Sequence, residues 1–259
     1  MIRLAKLLGF AAAGSLFAAA VSAQSMMNQV DLSSPMYTTA DMTRAEIERA
    51  LASGQKPDLS MKSLNGLDLS GLDFSGVNFR AARINKTKFA GAKLAGAIFD
   101  QAWAVGADFS GADLTKASLF ASQMQDTNFD NADLSFARIA GDFSRAHLRK
   151  AKFVKADLSA DMKNQSMGLM RASFRSADLE GADLESANLA RADLQFAKFA
   201  GANFAHANLM GAEAGGADFR GAHFDHTDLA GCDVTSAQID TAQLPAFAKA
   251  DHLDRALKE

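Results

Sequence analysis

A five-residue unit repeated without a gap dominates the chain between Ala177 and Leu209, which reads ADLEG ADLES ANLAR ADLQF AKFAG ANFAH ANL. The centres of successive units are Leu179, Leu184, Leu189, Leu194, Phe199, Phe204 and Leu209, each with Ala two residues before it. A period of five fits neither the 3.6 of a helix nor the 2 of a strand. On a helix these centres would spread around the whole surface and leave no buried stripe. A solenoid resolves this, because each short segment turns a corner and points its centre at a shared axis. The second inward position must then be small, which explains Ala. Asp, Glu, Lys, Arg and Ser take the three outward positions.

This pattern resembles the pentapeptide repeat family, whose motif is A(D/N)LXX. The resemblance runs from about Asp58 to Leu244. It implies an all-β fold, a right-handed quadrilateral parallel β-helix with four pentapeptides per coil. Residues 20 apart in sequence then stack one strand spacing, about 4.8 Å, apart. On that geometry Phe89, Phe109 and Phe129 form one internal ladder and Leu94, Leu114 and Leu134 another. Nine coils make a rod of roughly 45 Å.

The ends do not follow the repeat. Residues 1–23 read as a secretory signal peptide. Arg3 and Lys6 precede an apolar run from Leu7 to Ala20, and Val21-Ser22-Ala23 offers a cleavage site. The expected location is periplasmic or secreted, with the chain not membrane-spanning after cleavage. Residues 24–42 read as a flexible leader. Thr43 and Glu46 fit a capping box opening a short helix within 43–56, with Gly54 as its stop. Its expected role is to cover the first coil, since bare solenoid ends invite aggregation. The repeat spans 57–244. After Pro245, Phe247, Ala250, Leu253 and Leu257 suggest a second capping helix in 245–259. A terminal coil also offers a route to a homodimer.

The register slips once, at 140–168. Ile139 to Phe143 is one residue short of a unit, and Leu158 to Leu169 is one residue more than two units. The shifts cancel, so Leu169 is expected to stack below Leu189, Leu209 and Leu229, with Ser159–Gly168 forming one irregular face. Trp103 precedes the weak centre Ala104. In strict register it faces outward as a contact residue; alternatively its ring folds back over the thin core.

Chemistry is sparse. No nucleotide, phosphate-loop, zinc-finger or nucleophile-elbow motif occurs. The recurring outward Asp is expected as a solvated face, not an acid/base pair. No cofactor is expected, and the chain reads as a non-enzyme. Cys232 sits where Ala is usual, so a buried inert thiol is expected. Removing residues 1–23 takes away two cations, leaving 25 Lys+Arg against 30 Asp+Glu, a formal −5. Nucleic acid is therefore not an expected partner. Some cytoplasmic members of the resembled family imitate DNA and bind DNA gyrase. The export signal, modest charge and mid-rod basic segment argue against that role here.

That segment, Asp142 to Arg175, holds eight Lys/Arg and three Asp. Lys150, Arg171 and Arg191 are expected at one outward position on successive coils, as a surface for a protein or envelope component. Asp193, Glu213 and Asp233 are expected to stack as a repulsive acidic column. His206 and His226 are expected to stack as well. With a neighbouring carboxylate they are a candidate metal site, for Zn²⁺, although exposed uncoordinated imidazoles are the simpler reading; the acidic column is a second place where a cation could bind.

Overall fold

Backbone hydrogen bonding, not side-chain packing alone, shows the solenoid most directly. The computed structural model describes residues 34–54, 56–163 and 170–259. The signal-peptide reading and most of the leader fall outside the described residues. From Asp58 onward, parallel bridges join each unit to the one 20 residues later: Asp58 to Asn78, Asp68 to Lys88, Lys93 to Asp113. The centres form four buried columns. One runs Leu59, Phe79, Phe99, Leu119, Ile139, Leu158, Leu189, Leu209, Leu229, giving nine rungs.

Each unit makes its corner by the same local chemistry. The N–H of the inward Ala bonds the carbonyl of the preceding centre, as in Ala82 to Phe79 at 3.0 Å. The residue two after each centre takes positive φ, as at Lys150 (55°) and Arg191 (61°). The N–H one after the centre has no place in the ladder. The Asp or Asn before the centre accepts it, as when Ser70 N–H bonds Asp68 Oδ1 at 3.1 Å. The recurring Asp is therefore a turn-former that satisfies a backbone donor at every corner. In some units that lack Asp or Asn there, a side chain from the coil below substitutes. Asn65 Oδ1 accepts Asn85 N–H at 2.8 Å, and Asn85 Oδ1 accepts Val105 N–H at 3.0 Å.

The ends are closed differently from each other. Helix α1 (Pro35–Thr38) leads into an antiparallel bridge between Ala40 and Leu64. So the end of the expected leader is already part of the cap. Helix α2 (Arg44–Ala52) carries the expected capping box of Thr43 and Glu46 and buries Ile47. Arg44 Nη1 donates to the Asp68 carbonyl at 2.8 Å, closing an acceptor of the first coil.

The slip at Ile139 lies between β1 (Ser118–Gln123) and β2 (Arg138–Asp142), which pair in parallel. Ser118 faces Arg138, 20 on, but Gln123 faces Asp142, 19 on. Gly141 permits the shortened corner. A Cβ there would lie 2.5 Å from the Ser122 carbonyl oxygen. Gly141→Ala is expected to destabilise the protein by about 1–3 kcal/mol through overpacking; an unchanged urea midpoint would show that the corner relaxes freely.

The second slip corrects the expected register. Asp142 pairs with Ser173 and Asp157 with Asn188, both 31 residues apart. Eleven residues have thus been added between Ala160 and Ala172. Leu158, not Leu169, stacks below Leu189, and its N–H bonds the Asn188 carbonyl at 2.8 Å. Leu169 itself lies outside the described residues. Asp161 N–H bonds the Met170 carbonyl at 2.7 Å.

The expected C-terminal helix is also corrected. Residues 245–259 form no α-helix. They contribute to an incomplete further coil, with a 3-10 turn at Leu253–Arg255. Strand β3 (Gln238–Ile239) pairs in parallel with β4 (Leu257–Lys258), and Asp251 bridges to Asp233. A helix would have covered the apolar rung but left these edge groups unpaired. Phe247 is buried, edge-on to Phe224 with ring centroids 4.8 Å apart.

Candidate interaction surface

Added residues change which side chains meet. Lys150 N–H bonds the Glu180 carbonyl, placing Lys150 against Gly181, whereas Arg191 lies against Gly211. Arg171 sits at the return of the added segment. Lys150 therefore does not share one stacked position with Arg171 and Arg191; the 31-residue coil sets it against Gly181, while Arg171 and Arg191 keep the 20-residue spacing, with Arg171 Nη1 3.4 Å from the Arg191 carbonyl. Arg171 is moreover consumed internally. Its Nη1 and Nη2 grip Glu213 Oε1 and Oε2 at 2.6 and 2.9 Å. Arg175 Nη2 lies 3.1 Å from Asp193 Oδ2, and Gln195 Nε2 donates to Glu213 at 3.0 Å.

The acidic column exists, since Asp193, Glu213 and Asp233 bridge in sequence. Its repulsion is relieved by these two arginines and by His252, whose Nδ1 is 3.1 Å from Asp233. The bidentate guanidinium of Arg171 holds the Glu213 carboxyl below its ordinary range.

Every arginine of the basic segment is engaged in this way. Arg145 pairs with Asp126 at 2.7 Å, and Arg149 with Asp178 at 2.7 Å. For Asp178, burial pushes its carboxyl pKa up, but hydrogen bonds from Arg149 and the Glu180 N–H outweigh that, and the net shift is down. The lysines differ. Lys150, Lys152 and Lys155 are exposed and form no salt bridge among the described residues. Lys152 bridges between the acidic units of Asp133 and Asp183, so the local charge is mixed rather than purely basic.

One residue beside this region stands out only in the structure. Phe136 is 53% exposed and holds a φ of 61°. The Lys155 ammonium lies over its ring, 5.9 Å from the centroid. A bulky side chain in the left-handed region costs about 1 kcal/mol, and this one recovers little of that by burial. Phe196 repeats the situation at another corner, 58% exposed with φ 59°. Its ring lies over Gly216, where an added Cβ would come within 2.6 Å of Cδ1. The signal was available: Phe at the corner position, where Gly, Lys or Ser is usual.

Trp103 is half-buried, and its backbone bridges Arg83 and Gln123 in register. The expected histidine stack forms, with His206 and His226 rings 5.1 Å apart and 11° from parallel. Among the described residues no group of three or more His, Cys, Asp or Glu is placed to hold a metal ion. Cys232 is fully buried, and burial with nearby Asp233 and Asp251 pushes its thiol up to about 12. In native protein at pH 8 it should not react with a thiol reagent on the minutes scale, and should react at once in denaturant. Rapid native labelling would contradict its burial. No helix among the described residues is long and apolar enough to cross a membrane.

The family profile described as Pentapeptide repeats matches in eight copies, over residues 63–101, 92–119, 122–160, 169–204 and 202–239. The chain belongs to the pentapeptide repeat family. Its fold is accordingly the right-handed quadrilateral β-helix. Among solved structures, full-length QnrB1, a plasmid-mediated fluoroquinolone resistance protein, is 18% identical. That match covers 76% of this chain and 93% of QnrB1, with a TM-score of 0.49. HetL, a regulator of heterocyst differentiation from Nostoc sp. strain PCC 7120, is 24% identical over 74% of this chain and 97% of its own, with a TM-score of 0.29. A pentapeptide repeat protein of the Arabidopsis thaliana thylakoid lumen is 33% identical over 42% of this chain and 72% of its own, with a TM-score of 0.29. No curated protein matches the chain. Members of this family are generally structural or interaction modules.

Proposed function

We infer that this protein is a non-catalytic β-helical scaffold, exported to the periplasm or beyond, that presents its side to a protein or envelope partner. The observation that carries this reading is Phe136. An aromatic ring held exposed at a conformationally costly corner, under a lysine ammonium, contributes little to folding and suits a contact. Lys150 and Lys152 are further exposed cations of the same coil as Lys155, in no salt bridge among the described residues. Arg171 belongs to the fold's own ion pairs and leaves the candidate surface, while Arg191 stays exposed at a separate corner. Export is supported by the apolar run of Leu7 to Ala20 and its small-residue cleavage site.

The test is photo-crosslinking in intact cells from position 136, compared with a probe at Met61, another exposed corner. A discrete adduct at 136 that disappears with Lys155→Glu supports the reading. Equal, diffuse labelling from both positions would remove it.

A second reading rests on the stacked imidazoles of His206 and His226, which supply two nitrogen donors on one corner. Calorimetric titration with Zn²⁺ at neutral pH should then show binding that His206→Ala abolishes; identical traces would dismiss it.

A further inference from the structure

At the C-terminal end, the solenoid stops short on one face. One coil earlier that face is fully paired. Phe204 N–H bonds the His223 carbonyl at 2.8 Å, Ala205 N–H bonds Asn203 Oδ1 at 3.0 Å, and His206 N–H bonds the Asp225 carbonyl at 2.8 Å. The equivalent donors of the last coil are the ladder groups of Phe224 and His226 and, between them, the N–H of Asp225, whose unit carries His223 where the earlier one has Asn203. Among the described residues none of these three N–H groups has an acceptor, and neither does that of Leu229 around the corner. The other two faces are closed by Asp251 and by β4.

Residues 242–248 cross above this edge without backbone pairing to it, and pairing resumes where the Gly231 N–H bonds the Lys249 carbonyl at 3.0 Å. Cavities of about 450 and 300 Å³ lie on either side of Pro245 and Ala246, between the crossing arm and the edge. The edge's acceptors are partly spoken for, since Gln243 Nε2 donates to the Ala222 carbonyl at 2.6 Å. What remains is a row of donors in a groove.

We propose that this groove is a strand-addition site, in which an extended peptide segment of a partner protein supplies the missing rung. The occupant must bring acceptors at alternate residues, as the solenoid's own coils do, so its carbonyls would meet the N–H groups of Phe224 and His226 in parallel register. A free anion is the other chemistry that suits three successive N–H groups. The exposed carboxylates of Asp225 and Asp228 oppose it, and they favour a segment carrying Lys or Arg. The residue between the two acceptors points inward. Phe247 already occupies the space over Phe224, so that residue must be small. The site is remote in sequence from Phe136 and stands whether or not that surface is used.

The experiment uses the full mature chain and seven-residue peptides with lysine at the second and sixth positions and each amino acid in turn at the centre. Amide hydrogen exchange is followed residue by residue. Peptides with Gly, Ala or Ser at the centre should slow exchange at Phe224 and His226 about tenfold or more, leaving His206 as an unchanged internal reference. Ala248→Trp, at an exposed position lining the larger cavity, should abolish the protection while His206 stays protected. Phosphate and acetate at matched concentration should have no effect. The proposal is overturned if no peptide slows exchange at these amides, if the anions protect as well as peptides do, or if Ala248→Trp leaves protection intact in a variant that still protects His206.

Discussion

Phe109→Ala should cost about 3–5 kcal/mol of stability, the range for deleting a buried aromatic ring whose site cannot collapse. Phe109 is fully buried in the middle of a column of rings. It stacks on Phe89 at 4.9 Å and on Phe129 at 5.0 Å, within 10° and 6° of parallel, and meets Phe99 edge-on at 5.6 Å. The ladder bonds hold the coils at fixed spacing, with Phe89 N–H to Asp108 O at 2.6 Å and Phe109 N–H to Asn128 O at 2.7 Å. Neighbouring rings therefore cannot close the gap without breaking backbone pairs, and the cavity persists. Denaturant unfolding of the variant checks this. A loss under about 1 kcal/mol would mean that the coil does relax around a missing ring. Phe109→Leu keeps most of the volume and should lose clearly less.

How much of this was legible in the sequence depends on which physical constraint wrote each residue. The inward Leu or Phe and the inward Ala are set by one packing requirement repeated, so the period alone specified the four columns, while the Thr43–Glu46 spacing specified the capping box. The coil count around the insertion was not legible. Leu169 falls in phase with Ile139 by spacing alone, and nothing in a one-dimensional pattern distinguishes a distorted face from eleven residues added between paired units; only the pairing of Asp142 with Ser173 does. That displacement is what removed Lys150 from the expected stack with Arg171 and Arg191. The C-terminal pattern of Phe247, Ala250, Leu253 and Leu257 has helical spacing, but the open edge at Gln238 and Ile239 competes for the same residues, and strand pairing prevailed. The role of the repeating Asp was legible in principle. Asp-Leu-Ser and Asp-Phe-Ser triplets such as 68–70 and 73–75 carry the acceptor and the N–H it receives two positions apart. Reading the carboxylates only as solvated surface missed that they close the corners.

That closure makes the fold acid-sensitive. The carboxyls of Asp58, Asp68 and Asp73 sit below their ordinary range because N–H or hydroxyl groups of Ser60, Ser70 and Ser75 bond the charged form. Asp218 and Glu213 are lowered chiefly by hydrogen bonds from Arg220 and Arg171. Asp233 is lowered by the Thr235 N–H. In each case the folded value lies below the unfolded one, about 3.9 for Asp and 4.3 for Glu. Such groups contribute stability that is fully present above the unfolded value and is lost as pH falls through the folded one. Protonation also strands the partners: Arg149, Arg171, Arg175 and Arg220 keep their charge when their carboxylates lose theirs. The urea midpoint should therefore stay level from pH 7 to about 5 and then fall toward pH 2, by more than a single exposed pair would give, because these several lowered carboxyls are protonated over the same range. A midpoint at pH 3 equal to that at pH 7 would show that these bonds contribute nothing net. Asp178→Asn supplies the internal check. It removes one lowered carboxyl yet leaves an amide oxygen that can still accept the Glu180 N–H, so the variant should be weaker at pH 7 and lose less on acidification than the parent.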